Sequence, residues 1–276
     1  MGIPTVTLAT EYLSYKSFDL FLTERLFLYY NNYMLTFLIP TAKEMKIPKQ
    51  SFPPNIPENS QAIIDQLASL SFKELALAYK LKETACQKEF DRIQSIKKGQ
   101  APTYPAYQLF NGLMYRHLDR EHLSQQETNY LLTHTFITSS LYGVIPMDFP
   151  IAEHRLDFQT KLKINGKSLK HYWRDDYDYF VNDREIIISL LSSEFEEVFS
   201  KDNNNLWISL LFLEEKAGSL RSHSTISKKG RGDFLKACAQ YNCQDIQDLR
   251  NLDFKGFTFS EEQSNCHKLV YIKKEA

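Results

Sequence analysis

Four short, almost wholly apolar runs constrain this chain more than any other feature. They cover residues 35–39, 186–188, 207–213 and 269–272, and all are rich in β-branched, aromatic or leucine side chains. A strand with one face in water alternates polar and apolar residues, so an unbroken run reads as a strand covered on both faces. Residue 40 is a proline, which closes the first run. Prolines 48, 53, 54 and 57 then form a connector that no regular element can contain. Residues 59–98 read as helical: Ile63, Ile64, Leu67 and Leu70 make one stripe, and Phe90, Ile93 and Ile96 a later one, with Gly99 as a C-cap. Two further helices are read near 106–118 and 124–134. A short β-rich run over 136–138 leads into a Gly/Pro loop around Gly143 and Pro146. Strands interleaved with helices predict a mixed α/β (α+β) fold: one domain with a mixed central sheet and surrounding helices. At 276 residues and 43% hydrophobic content the chain can bury a sizeable core.

The first 33 residues stand apart. They hold eight aromatics, among them Tyr12, Phe18 and Tyr33, but Glu24 and Arg25 interrupt the apolar stretch and no basic segment precedes it. This is neither a secretory signal nor a membrane span. We read residues 1–33 as a peripheral or misassigned extension, with Met34 as the natural start and 34–276 as the domain. The four cysteines form no C-x-x-C pair and read as reduced thiols of a cytoplasmic protein. Cys266 beside His267 lacks a second ligand cluster, and the seven histidines are scattered, so no metal or cofactor is assigned and direct iron binding has little support.

Formal net charge is only −1, so any polyanion must be met by local segregation. Residues 155–175 carry six cations against two carboxylates, and 221–236 carry five against one, net +4 each. Residues 185–202 are net −4. Such a pattern suits one basic surface on a neutral protein, and it also suits ordinary solvated faces.

The densest polar constellation is the run from Ser224 to Gly232, with Lys228, Lys229 and Arg231 beside Gly230 and Gly232. Cations, hydroxyls and glycines that let the backbone approach suit phosphate, although the order is not that of a Walker A loop. A turn leading into a helix with solubilising cations explains the run equally well. If residues 153–158 are extended, Arg155 and Asp157 share one side, either as a structural pair or with Asp157 orienting Arg155 toward a ligand. His154 and His171 are acid–base candidates, though a structural role is the simpler one. Ser192, Ser193 and Glu194 follow the 186–190 strand, where ligand sites of α/β sheets gather; a helix N-cap accounts for them too. Residues 72–79 and 83–93 read as two helices around Lys80-Leu81-Lys82. A tight basic turn of that kind can hold a DNA phosphate without reading sequence, although the usual helix-hairpin-helix glycines are missing.

Several segments together resemble the YaaA family of bacterial peroxide-stress proteins. They are LIPTAK at 38–43, LFNGLMY at 109–115, SSLYGV at 139–144, HRLDF at 154–158, LLSSEF at 190–195 and SKKGRG at 227–232. The resemblance spans Met34 to the C-terminus and supports Met34 as the start. It implies a single α/β domain with a basic cleft and a helix-hairpin-helix element. It further implies a cytoplasmic protein that binds double-stranded DNA and limits peroxide damage, linked to low free iron. Lys43, Arg155, Lys228, Lys229 and Arg231 fall on matching motif positions, with Lys80 and Lys82 added from the hairpin and Asp157, Ser192 and Glu194 in support. Three departures stand out. Gly230 replaces a usual alanine, at up to ~1 kcal/mol of helix propensity; His154 replaces a usual tyrosine; and a cation expected near Pro146 is absent.

Two further readings compete with non-enzymatic DNA binding. One is an enzyme on a nucleotide or small phosphorylated substrate, with Lys228, Lys229 and Arg231 on the anion and Glu194 or Asp157 as acid–base groups. The other is direct iron binding. A compact pocket around those residues would favour the enzyme; an open groove would favour duplex DNA. No membrane partner is expected.

Overall fold

The first apolar run becomes the middle of the molecule. In the computed structural model, which describes residues 34–200 and 205–274, Leu35–Pro40 forms β1, with Leu35, Phe37, Leu38 and Ile39 entirely inaccessible to solvent. The reading of residues 1–33 lies outside the described residues. β1 is flanked on both sides by parallel neighbours, β2 (Thr135–Ser139) and β4 (Ile186–Ser189). With helices over both faces there is no water-facing row, hence no alternation.

The chain then builds outward. β3 (Gly143–Pro146) returns antiparallel to β2 at one edge. Beyond β4 lie β5 (Leu206–Lys216) and, last in sequence, β9 (Lys268–Lys273), both parallel to their neighbours. Short antiparallel strands finish the sheet: β6 (Ser219–Arg221) on β5, and β7 (Asp253–Phe254) and β8 (Phe257–Phe259) beside β9. Among the described residues this is a nine-stranded sheet in the order β7-β8-β9-β5-β4-β1-β2-β3, with β6 on β5. The mixed α/β single domain is as the sequence predicts.

Two local readings need correction. The Gly143–Pro146 segment is not a loop but β3; the turn lies at 140–142, and Gly143 takes φ 76° with its α-carbon against the Trp173 ring. The 207–213 run is covered fully on one face only. Ile208, Leu210 and Phe212 are buried, whereas Trp207, Ser209, Leu211 and Leu213 are half-exposed.

Seven helices matter for the site. Glu58–Ser69 (α1), Phe72–Tyr79 (α2) and Glu83–Lys97 (α3) occupy the 59–98 region. The 106–118 stretch is broken by Phe110–Gly112, leaving Leu113–Leu118 as α4. Gln125–His134 is α5, opened by a reciprocal capping box between Ser124 and Glu127. Leu169–Asn182 is α6 and Ser224–Tyr241 is α7.

α7 carries two glycines through a helix interior, each at a cost of about 1 kcal/mol against alanine. Packing explains both. A Cβ on Gly230 would stand 2.4 Å from the Phe212 ring of β5, and one on Gly232 would stand 2.3 Å from the Met114 carbonyl oxygen of α4. The helix therefore lies against β5 and α4 at close range. His117 Nδ1 to Asp233 (3.1 Å) and Lys236 Nζ to Asp119 (2.7 Å) fasten α7 to α4. The Lys236 and His122 hydrogen bonds hold the Asp119 carboxyl at about 2.

Candidate anion-binding site

A parallel sheet offers a crevice where successive connections leave in opposite directions. Here the chain leaves β1 toward β2 on one side and later enters β4 on the other, so the crevice opens beyond the carboxyl ends of β1 and β4. Leu190 N donates to Leu38 O (2.9 Å) at that edge, and each strand then runs into a polar loop. A recess of about 590 Å³ lies there, lined by Thr41–Glu44 after β1, Ser192, Glu194 and Phe195 after β4, and residues of α4, α7 and the 154–157 loop.

Its cations come from three places. Lys43 extends from the β1 loop and pairs with Asp157 at 2.6 Å. Arg116 projects from α4 onto Glu44 at 2.6 Å. Lys228 and Arg231 lie one turn apart on α7, on the same face as Thr225. One Arg231 Nη donates to Leu191 O (2.8 Å), while its buried Nε has no hydrogen-bond partner. Burial pulls the Arg231 guanidinium below its usual pKa, opposed by nearby Glu196. Lys228 is exposed and forms no ion pair among the described residues.

Two carboxylates, Asp157 and Glu194, line the same recess. Burial would raise the Asp157 pKa, but the Lys43 ammonium, the Thr160 hydroxyl and the Gln159 N–H outweigh it and hold the group below the usual range. Glu194 accepts from Phe158 N (3.0 Å) and from Gln159 Nε2 (3.0 Å). Burial, then the Asp157 charge, push its pKa above the ordinary glutamate value. Two neighbouring carboxyls thus shift in opposite directions.

The structure gathers Lys43, Asp157, Ser192, Glu194, Lys228 and Arg231 around one recess, and it revises other sequence readings. Lys229 points away from it, one residue off the lining face of α7. Gly230 and Gly232 face the core and offer no backbone to a phosphate. Asp157 pairs with Lys43 rather than Arg155. The 153–158 stretch is an irregular loop: Leu156 and Phe158 are buried, and half-buried Arg155 lies behind the recess, where its charge acts on Tyr79 and Glu89. His154 lines the recess, but burial lowers its pKa to about 4 and its Nδ1 bonds Ala152 O (2.8 Å), so it is neutral at physiological pH. His171 Nδ1 meets the Ser168 hydroxyl at 2.8 Å beside the α6 N-terminus.

The two net +4 segments do not converge whole. Lys170 pairs with Glu197 and Arg174 donates to the Glu197 and Val198 carbonyls, away from the recess; Lys236 is taken by Asp119. Arg116 and Glu44 are lining residues that the sequence reading missed, whereas Thr225 lies within the Ser224–Gly232 run it singled out. Arg116 directly follows the LFNGLMY segment, which was the available signal.

The two helices around the basic turn are present. α2 and α3 are joined by Lys80-Leu81-Lys82, with Lys80 in the left-handed region (φ 52°) where glycine is usual. Lys82 is the N-cap of α3, and no side chain caps that end. Lys161 N donates to Ala78 O (3.4 Å), and Tyr79 feels both Asp157 and Arg155, so the hairpin abuts the loop that forms one wall of the recess.

Comparison with known proteins fixes the lineage. A family model described as peroxide stress protein YaaA matches residues 35–263. The chain belongs to that family. A UPF0246 protein, SUB1767 of Streptococcus uberis, is 60% identical over 243 residues, 88% of this chain and all of the relative. The UPF0246 proteins MGAS10750_Spy1880 and Spy49_1742 of Streptococcus pyogenes are each 55% identical over the same length. Every motif segment that carried the resemblance lies within the part matched to the YaaA model. No described helix is long and apolar enough to cross a membrane, and no group of three or more His, Cys, Asp or Glu among the described residues could hold a metal.

Proposed function

We propose that this YaaA-family protein acts in the cytoplasm during peroxide stress by binding double-stranded DNA through its backbone, and that it helps keep free iron low. The observation that carries the reading is the contact between the hairpin and the recess wall. In this reading the Lys80–Lys82 turn and the open α3 N-terminus work with Arg155 and Lys43, joined by Lys228 and Arg231 of the recess lining and by exposed Lys229 on the outer face of α7. A recess of about 590 Å³ has the size of a small-molecule pocket, so a duplex rests across its mouth rather than inside. Phosphates then meet a helix N-terminus, lysine ammoniums and arginines, contacts that carry no base information. Iron enters indirectly in this reading, since the described residues offer no ligand cluster.

The test is a mobility shift with duplex DNA across salt. Affinity should fall steeply as salt rises, through counterion release. Lys80→Ala/Lys82→Ala should weaken binding and flatten the salt slope by roughly one to two units, about one for each phosphate left without its lysine. Salt-independent binding, or a double variant that binds as the parent does, would refute it.

A further inference from the structure

The charge balance inside the recess differs from that of a DNA-binding groove. Of its four cations, Lys43 is neutralised by Asp157 and Arg116 by Glu44. Lys228 and Arg231 remain, one helical turn apart on one face of an 18-residue helix. Two cations on one wall complement one phosphate dianion. The 154–157 and 190–195 loops add acceptors to the lining, Asp157 and Glu194, of the kind that hold sugar hydroxyls or ring amino groups. Leu113, Met114, Tyr115, Leu156 and Phe195 add apolar surface to the lining, of the kind on which a base packs. A volume of about 590 Å³ falls in the range of small-ligand sites.

We infer that the recess binds a nucleoside monophosphate, its phosphate between Lys228 and Arg231 and its hydroxyl and amino groups on Asp157 and Glu194. The site is built from the switch-point edge of the sheet and does not depend on the hairpin. Asp157 and Glu194 both present carboxylate oxygens to the recess, which suits a ligand that offers hydroxyl or amino hydrogens.

The experiment is isothermal titration of the full chain with AMP and GMP, beside adenosine and inorganic phosphate. The expected result is saturable 1:1 binding of at least one monophosphate, with adenosine at least tenfold weaker and phosphate alone weaker still. Lys228→Ala should lose at least tenfold, and because Lys228 is exposed and unpaired, an unchanged melting temperature verifies that the variant folds. Lys216→Ala, on the distant β5–β6 hairpin, should bind as the parent does. No binding of either monophosphate at millimolar concentration overturns the inference, as does equal affinity in Lys228→Ala. Adenosine binding as tightly as AMP also overturns it, since the phosphate would then contribute nothing. A mobility shift on the same preparations separates the two readings: DNA binding without nucleotide binding sinks the recess ligand alone, and the converse sinks the DNA reading alone.

Discussion

The two basic stretches have the same net charge and different fates. In 221–236 the cations ride on one helix, and its periodicity presents Thr225, Lys228 and Arg231 together to the recess while Lys236 turns to α4. In 155–175 the chain passes through an irregular loop, a two-residue-stranded ribbon and the first turns of α6. Its cations scatter: Arg155 goes behind the recess, and Lys170 and Arg174 go to the 197–198 segment. Charge clustered in sequence becomes charge clustered in space only where a regular element fixes the phase between side chains.

If the close approach of α7 sets that phase, filling it should have the largest effect. Gly232→Ala drives a Cβ into the Met114 backbone oxygen, which cannot swing aside. We expect a loss of up to about 2 kcal/mol, overpacking of roughly 1–3 kcal/mol set against ~1 kcal/mol of regained helix propensity. Gly230→Ala meets the Phe212 ring instead, itself packed among Phe234, Phe254 and Tyr271. Adding Phe212→Leu to that variant should recover part of the loss, a coupling of about 0.5–3 kcal/mol measurable by urea denaturation. Additive losses would show that the helix does not sit as described.

A smaller effect sharpens the loop side of the comparison. Lys43→Met leaves Asp157 with the burial penalty and without its main counter-charge. A carboxyl lowered in the folded state stabilises above its ordinary range, and that stability is lost as pH falls through the lowered value. Lys43 is 56% exposed, so screening limits the deficit to roughly 1 kcal/mol at neutral pH. The deficit should begin to shrink near pH 4, where Asp157 is protonated in the unfolded chain, and vanish once pH has fallen through the lowered folded value. Denaturation curves at the two pH values check this, and a pH-independent deficit would remove the ion pair from the account.

The smallest change concerns the hairpin. Lys80→Gly should relieve the left-handed backbone and stabilise the fold by up to ~1 kcal/mol while weakening DNA binding. Gains in both stability and DNA affinity would separate the turn from the binding surface.

The sheet was legible because its central strands are covered on both faces, and residues 35–39 and 186–188 could hardly be read otherwise. The capped helices were legible for the same local reasons. β3 was not, since a four-residue edge strand bounded by Gly143 and Pro146 looks like a turn until its partner is known. Six of the proposed site residues meet at the recess because strand-end loops and one helix face carry them. Lys229 and Arg155 could not be sorted from their neighbours without the phase of α7 and the path of the 153–158 loop.

The amino-acid sequence by itself determined the family, the central strands, the main helices and the presence of locally dense cations, since these follow from periodicity and from motifs along the chain. Only the tertiary structure decided which cations stay free. Pairing of Lys43 with Asp157 and of Arg116 with Glu44 joins residues far apart in sequence, and the glycines of α7 serve contacts with Phe212 and Met114 that no local pattern encodes. Coulombic neutralisation and close packing depend on distance in space, which the order of residues does not contain.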